Sequence, residues 1–168
     1  AGLTPRYFYE SFANSEALLI AAYETVTRFA LETLQAAASE LDETDPEARL
    51  EAMMGGYYAL LRDRPASARV FVTEMAGIST AVDAAFEQGL AKFASLLART
   101  LDPDWRETDT HFLRETAAMH GLLAIARSWI ARGCEEPIAD VVAMAMPFCR
   151  LLIAKDSSPA MRDGNRPT

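Results

Sequence analysis

The side chains that most often carry chemistry are few in this chain: two histidines and two cysteines among 168 residues. His111 and His120 lie nine positions apart, which on a helix sets them on different turns and roughly opposite faces. No Glu-x-x-His pair occurs, so the di-metal carboxylate centre that some helix bundles hold is not expected. Cys134 and Cys149 sit in apolar helical surroundings without partners at metal-ligand spacing, the pattern of buried thiols rather than of a disulfide framework or a zinc site. Nucleophile elbows, phosphate-binding loops and dinucleotide-binding glycine fingerprints are absent as well. The sequence therefore reads as a non-enzyme without metal or cofactor, whose functional groups bind rather than react.

Two sets of residues have the chemistry for binding. Thr4, Pro5, Arg6 and Tyr7 cluster at the start of the chain, where a capped helix would present a hydroxyl, a guanidinium and a phenol together. The second set is oily: Met53, Met54, Tyr57, Tyr58, Phe71, Met75, Phe86, Phe93, Met119 and Leu123, with His120 beside them. The formal charge of −8, from 24 acidic and 16 basic residues, argues against broad phosphate binding, so any contact with nucleic acid must be local.

The elements that position these residues read as all-α. Apolar residues recur at spacings of three and four along nearly the whole chain, and alternating strand patterns are missing. Thr4-Pro5 is an N-cap followed by proline at the first helical position, opening a short helix to about Phe12. Asn14 is placed to cap a second, with Leu19, Tyr23, Val26, Ala30, Leu34, Ala37 and Leu41 on one stripe. Asp45-Pro46 starts a third, which Arg64-Pro65 interrupts. A shorter helix from Pro65 to about Met75 stops at Gly77, and a long one begins at Ser79 or Thr80 and ends at Leu101 before Asp102-Pro103. The last two helices span 108–132, closed by Gly133 in a left-handed conformation, and 137–154, with Pro147 inside and a kink expected there. Residues 155–168 lack apolar periodicity and read as a disordered tail.

The 51% apolar and 24% charged composition, with 8 Gly and 8 Pro, fits one compact soluble domain or two small ones. No apolar run reaches the roughly 18 to 20 residues that span a bilayer, and the N-terminus lacks the succession of a signal peptide. A cytoplasmic location without a membrane partner is the expectation.

Residues 1–19, AGLTPRYFYESFANSEALL, resemble the end of the DNA-binding region of TetR-family transcriptional regulators. Ala1-Gly2-Leu3 resembles the turn of the helix-turn-helix, Thr4 the recognition-helix cap, Tyr9 and Phe12 its aromatic pair, and Asn14 to Leu19 the start of the long connecting helix. The resemblance implies that residues 1–14 are the C-terminal part of a DNA-binding domain and 15–154 a ligand-binding and dimerisation domain. It implies earlier helices of the motif preceding Ala1. A short helix of this kind lies in the major groove with its N-terminal residues at the base edges. Arg6 would pair with a guanine, Tyr7 with a thymine methyl or a phosphate, and Thr4 and the free N–H groups after Pro5 with a phosphate. The family pattern puts Tyr9 on the DNA backbone, with Ser11 and Ser15 also at the DNA. Ser15 stands where many members carry lysine, so its hydrogen bond comes without charge neutralisation. Glu10 is acidic in a helix that would face DNA, and is read as solvated or paired within the protein more readily than as a partner of cytosine.

GLLAIARSWIARG followed by a proline-initiated helix also resembles the family's last two helices. By that resemblance 108–132 and 137–154 pair with their counterparts in a second subunit as a four-helix bundle, giving a homodimer that presents two recognition helices to two half-sites of double-stranded operator DNA. Gly121, Ala117, Ala124 and Ala145 would permit the close approach. The oily set would line a cavity for a neutral, lipophilic or aromatic effector, anchored by Tyr57, Tyr58 and His120. Taken singly, each of these side chains is also an ordinary core residue. The function implied is a repressor released from operator DNA by such an effector; the alternative is a helical ligand-binding or interaction protein that does not bind DNA.

Overall fold

The computed structural model describes residues 5–75, 77–106 and 112–153. These form six α-helices: α1 (Pro5–Ser39), α2 (Pro46–Asp63), α3 (Pro65–Arg69), α4 (Thr80–Leu101), α5 (Phe112–Ala131) and α6 (Ile138–Leu151), with one π-helical turn, Val70–Glu74, between α3 and α4. No strand occurs among the described residues. No helix among them is long and apolar enough to cross a membrane. The expected disordered tail, 155–168, lies outside the described residues.

Start signals behave as their chemistry dictates. The Asp45 carboxylate accepts from the Ala48 N–H at 2.9 Å, with Pro46 at the first helical position of α2, and Ser79 accepts from Val82 to open α4. Gly133 ends α5 at φ +75°, and Cys134 follows it at φ +57°. The Cys134 N–H then closes on the Trp129 carbonyl at 3.0 Å. Cys134 is thus in a turn and half-buried, not in a helix, whereas Cys149 is fully buried.

Three boundaries differ from the sequence expectation. The stop near Phe12 and the fresh start at Asn14 do not occur: α1 is one helix of 35 residues, about 52 Å long at 1.5 Å per residue. No glycine or proline occurs from Tyr7 to Ser39, and each residue added to an existing helix gains a hydrogen bond for a small propensity cost. The helix expected from Pro65 to Met75 is α for five residues only and then widens into the π-turn. Helix α6 contains Pro147 as expected and ends at Leu151, short of the expected 154.

The core lies where α1, α2, α4, α5 and α6 meet. Helix α1 contributes Tyr23, Thr27, Ala30, Leu34 and Ala38; α2 contributes Leu50, Met53, Met54, Tyr57, Tyr58 and Leu61. Helices α1 and α4 approach closely at Gly89, where an added Cβ would collide with the Tyr23 ring. The Tyr23 hydroxyl donates to the Phe86 carbonyl at 3.2 Å and fixes that crossing. Helices α5 and α6 meet at Gly121, whose missing side chain is replaced by the Phe148 ring.

Candidate functional site

The oily set converges on the middle of this core. Met54, Tyr57, Phe71, Phe93, Met119 and Leu123, joined by Leu34, Leu90, Leu97 and Leu122, surround a cavity of only about 20 Å³. That is room for no more than about one water. Three aromatic rings border the space: Tyr57 meets Phe71 at 6.2 Å and Phe93 at 6.3 Å, and Phe71 meets Phe93 at 5.3 Å; Tyr23, outside the lining, stacks on Phe71 at 5.6 Å. Edge-to-face contacts of this kind favour a closed cluster over an empty chamber.

The other expected lining residues go elsewhere. Met53, Met75 and Phe86 are buried core without a share in the cavity wall. Tyr58 turns toward α5 and α6, its ring edge-on to Trp129 at 5.5 Å, and its buried hydroxyl has no hydrogen-bond partner among the described residues. His120 is not an inner anchor: it is exposed, its Nδ1 lies 3.0 Å from the Thr116 carbonyl and its Nε2 3.8 Å from Glu87. It projects from α5 one position beyond the buried Met119, which is why apolar neighbours in the sequence did not make it a core residue.

Burial, more than any charge, sets the acid–base character of the interior. It pushes the phenols of Tyr57 and Tyr58 well above their ordinary range, with Tyr58 and then Tyr23 adding to the effect at Tyr57, and Cys149 adding to it at Tyr58. Desolvation likewise pushes Tyr23 up to about 12. These groups stay neutral hydrogen-bonding groups near pH 7.

A second space, which the sequence did not signal, opens beside the first. It is a groove of about 240 Å³ between α1, the C-terminal end of α2 and α3, floored by Tyr57 and Phe71. Those two rings therefore partition an open groove from the closed cavity. Phe71 stands on the π-turn, a helix irregularity that recurs at functional positions. In a π-helix the Gly77 N–H would serve the Val72 carbonyl; here it donates to the Asp83 carboxylate at 2.9 Å, and the Val72 carbonyl accepts instead from Arg127 of α5. The movable-looking wall is thereby tied to α5.

The N-terminal part of α1 is tied to α4 where the Ser79 hydroxyl at the start of that helix donates to Glu16. Of the residues expected at DNA, Thr4 lies outside the described residues. So do the side chains of Pro5, Arg6, Tyr7, Tyr9 and Ser11, whose backbone forms the first turns of α1. Ser15 is exposed.

The outward side of α5 and α6 carries apolar residues among polar ones, His120, Arg127, Ser128, Asp140 and Arg150 being exposed as well. Leu113, Ala117 and Ala124 on α5 and Ala143, Met144, Pro147 and Leu151 on α6 are exposed. Gly121 and Ala145, expected to admit a partner helix, do otherwise: Gly121 receives Phe148 of its own chain and Ala145 is completely buried. No cluster of three or more His, Cys, Asp or Glu that could hold a metal ion occurs among the described residues. Comparison with protein-family models, curated proteins and solved structures finds no match for this chain.

Proposed function

We propose that the chain belongs to a TetR-like, ligand-responsive transcriptional regulator: a cytoplasmic homodimeric repressor that a small lipophilic effector releases from operator DNA. The observation that carries this reading is that α1, whose first turns hold the recognition-like segment, also walls the aromatic cavity and the groove beside it. A molecule that parts Tyr57 from Phe71 pushes on α1 directly. It pushes on α5 as well, through the π-turn and Arg127.

In a dimer formed by the outward faces of α5 and α6, those displacements change the distance between two α1 ends. Operator half-sites lie about one helical turn of DNA, or a multiple of it, apart, so a changed spacing releases the protein. The effector must prefer the released arrangement, since equal affinity for both shifts nothing. Opening the aromatic cavity carries a cost that the effector offsets by burying its own apolar surface.

The test is a gel shift with the full-length protein and the DNA flanking its own gene, titrated with salt. The expected result is a retarded complex that weakens steeply with salt. Failure to retard that DNA at low salt would overturn the regulator and favour a helical ligand-binding or interaction protein without DNA.

A further inference from the structure

We infer that the effector is an amphipathic monocarboxylate, its carboxylate on Arg64 and its apolar part lying in the groove that ends on Tyr57 and Phe71. This rests on the sensor reading above and names the chemical class that its site takes.

The groove wall is mostly apolar: Val26, Phe29 and Ala30 of α1, Leu60 and Leu61 of α2, and Ala68 of α3. Its volume of about 240 Å³ leaves room for an alkyl or aryl group. Arg64 stands at its margin, exposed, with its guanidinium carbon 4.5 Å above the centre of the Phe29 ring. The cation two positions before it is committed, Arg62 to Asp63 at 2.8 Å. Arg64 has no carboxylate partner among the described residues; the acid next to it in sequence, Asp63, is taken by Arg62. Its fork is left to a ligand, and a guanidinium above an aromatic ring still has N–H groups to offer a carboxylate in two parallel hydrogen bonds.

Charge complementarity then selects the ligand. In a chain of net charge −8 an anion is disfavoured over much of the surface, so a guanidinium without a carboxylate partner among the described residues, beside an apolar groove, is a local exception. A neutral lipophile, the expectation from the interior residues alone, leaves that cation unused. The length direction is set by the floor: a tail that reaches Tyr57 and Phe71 meets the rings that also wall the closed cavity.

The experiment titrates the full chain, without DNA, with decanoate below its micellar concentration and with 1-decanol, following heat or tryptophan fluorescence. Decanoate is expected to bind at least about tenfold more tightly than decanol. Arg64→Gln is expected to abolish that difference while keeping the decanol affinity, and Arg64→Lys to restore part of it. Arg64 is exposed, so unchanged melting temperatures show that each variant is folded. Equal affinities in the unaltered chain, or decanoate binding insensitive to Arg64→Gln, overturn the monocarboxylate and leave an oily-effector sensor standing. Absence of binding by either probe overturns the inference, while the gel shift decides separately on the regulator.

Discussion

Helices α5 and α6 each carry apolar side chains on two sides, and the described residues cover only one of them. Inward lie Ala118, Leu122, Ala126 and Trp129 of α5 with Val141, Ala145 and Cys149 of α6 and Leu152 just after it, all buried. Outward lie Leu113, 78% exposed, Met144, 48%, and Leu151, 40%. The inner face is a finished core, and the outer one is mixed, its large apolar side chains interleaved with His120, Arg127, Asp140 and Arg150. Large apolar side chains left in water among polar ones are characteristic of an interface, and on the proposed reading a second copy of the chain covers them. The contrast is sharpest at two neighbouring leucines, Leu151 and Leu152.

The largest effect is expected from Leu152→Glu. That side chain is 0% exposed, and burying an unpaired carboxylate or tearing the site open to hydrate it costs about 4 kcal/mol. Loss of the cooperative thermal transition, or a melting temperature far below that of the unaltered chain, is the expected readout. A stable Leu152→Glu monomer would place this residue on the outer face instead, and would erase the distinction.

Alkaline pH probes the same inner face without mutation. Burial holds the Cys149 thiol up at about 12, with the Arg150 charge and its own backbone lowering it only in part. The folded state thus keeps a proton that the unfolded state gives up near 9, the ordinary value. The resulting stability is complete below pH 9 and is lost as pH rises toward 12. Three units correspond to about 4 kcal/mol at the upper end of that window. Tyr23, also held at about 12 by burial, adds to the slope. Urea midpoints measured from pH 8 to 11 should fall, and fall less for Cys149→Ala; identical slopes for the two proteins would show that Cys149 is not sealed.

How much of this contrast could be read in the sequence depends on the element. Helix α2 was legible almost residue by residue: Leu50, Met53, Met54, Tyr57, Tyr58 and Leu61 form one wide stripe, and all are buried. Its start at Asp45-Pro46 follows from one carboxylate and one missing N–H. The break expected at Asn14 was misread because a good cap residue signals a helix start only where the chain has a reason to leave the helix, and none lies between Tyr7 and Ser39. The π-turn was illegible because hydrogen-bond phase depends on tertiary partners, here Arg127 and Asp83, more than 50 positions and six positions away from Val72 and Gly77. For the candidate site, the aromatic inventory could be read from spacing, but which side of the helix His120 takes, and the groove that Tyr57 and Phe71 floor, depend on how helices cross. Spacing alone sorts faces within a helix; it does not say which of two apolar faces meets its own chain.

Leu151→Glu is the companion change on the outer face and should leave the isolated chain intact, with its stability altered by no more than about 0.5 kcal/mol. Association is what should suffer. A carboxylate forced into an apolar interface costs about 2 kcal/mol or more, which is roughly thirtyfold in the dissociation constant. Sedimentation at a series of concentrations would reveal a shift toward monomer, and Met144→Glu should behave alike. An unaltered sedimentation coefficient in both variants would mean that this face is not where copies of the chain meet.

The smallest effect is expected where the inner face is imperfect. The Tyr58 hydroxyl is buried and lacks a hydrogen-bond partner among the described residues, while its ring is held edge-on to Tyr57 at 5.2 Å and to Trp129 at 5.5 Å. Tyr58→Phe keeps both ring contacts and deletes only the stranded oxygen. A buried polar group without a partner costs about 1 to 3 kcal/mol relative to its hydrated state, so the variant should be more stable by about 1 kcal/mol, the small void left behind taking back the rest. A higher urea midpoint at unchanged slope is the signature. A lower midpoint would mean that the hydroxyl has a partner in solution, an ordered water or an effector retained through purification, and mass spectrometry of the native protein would tell these apart.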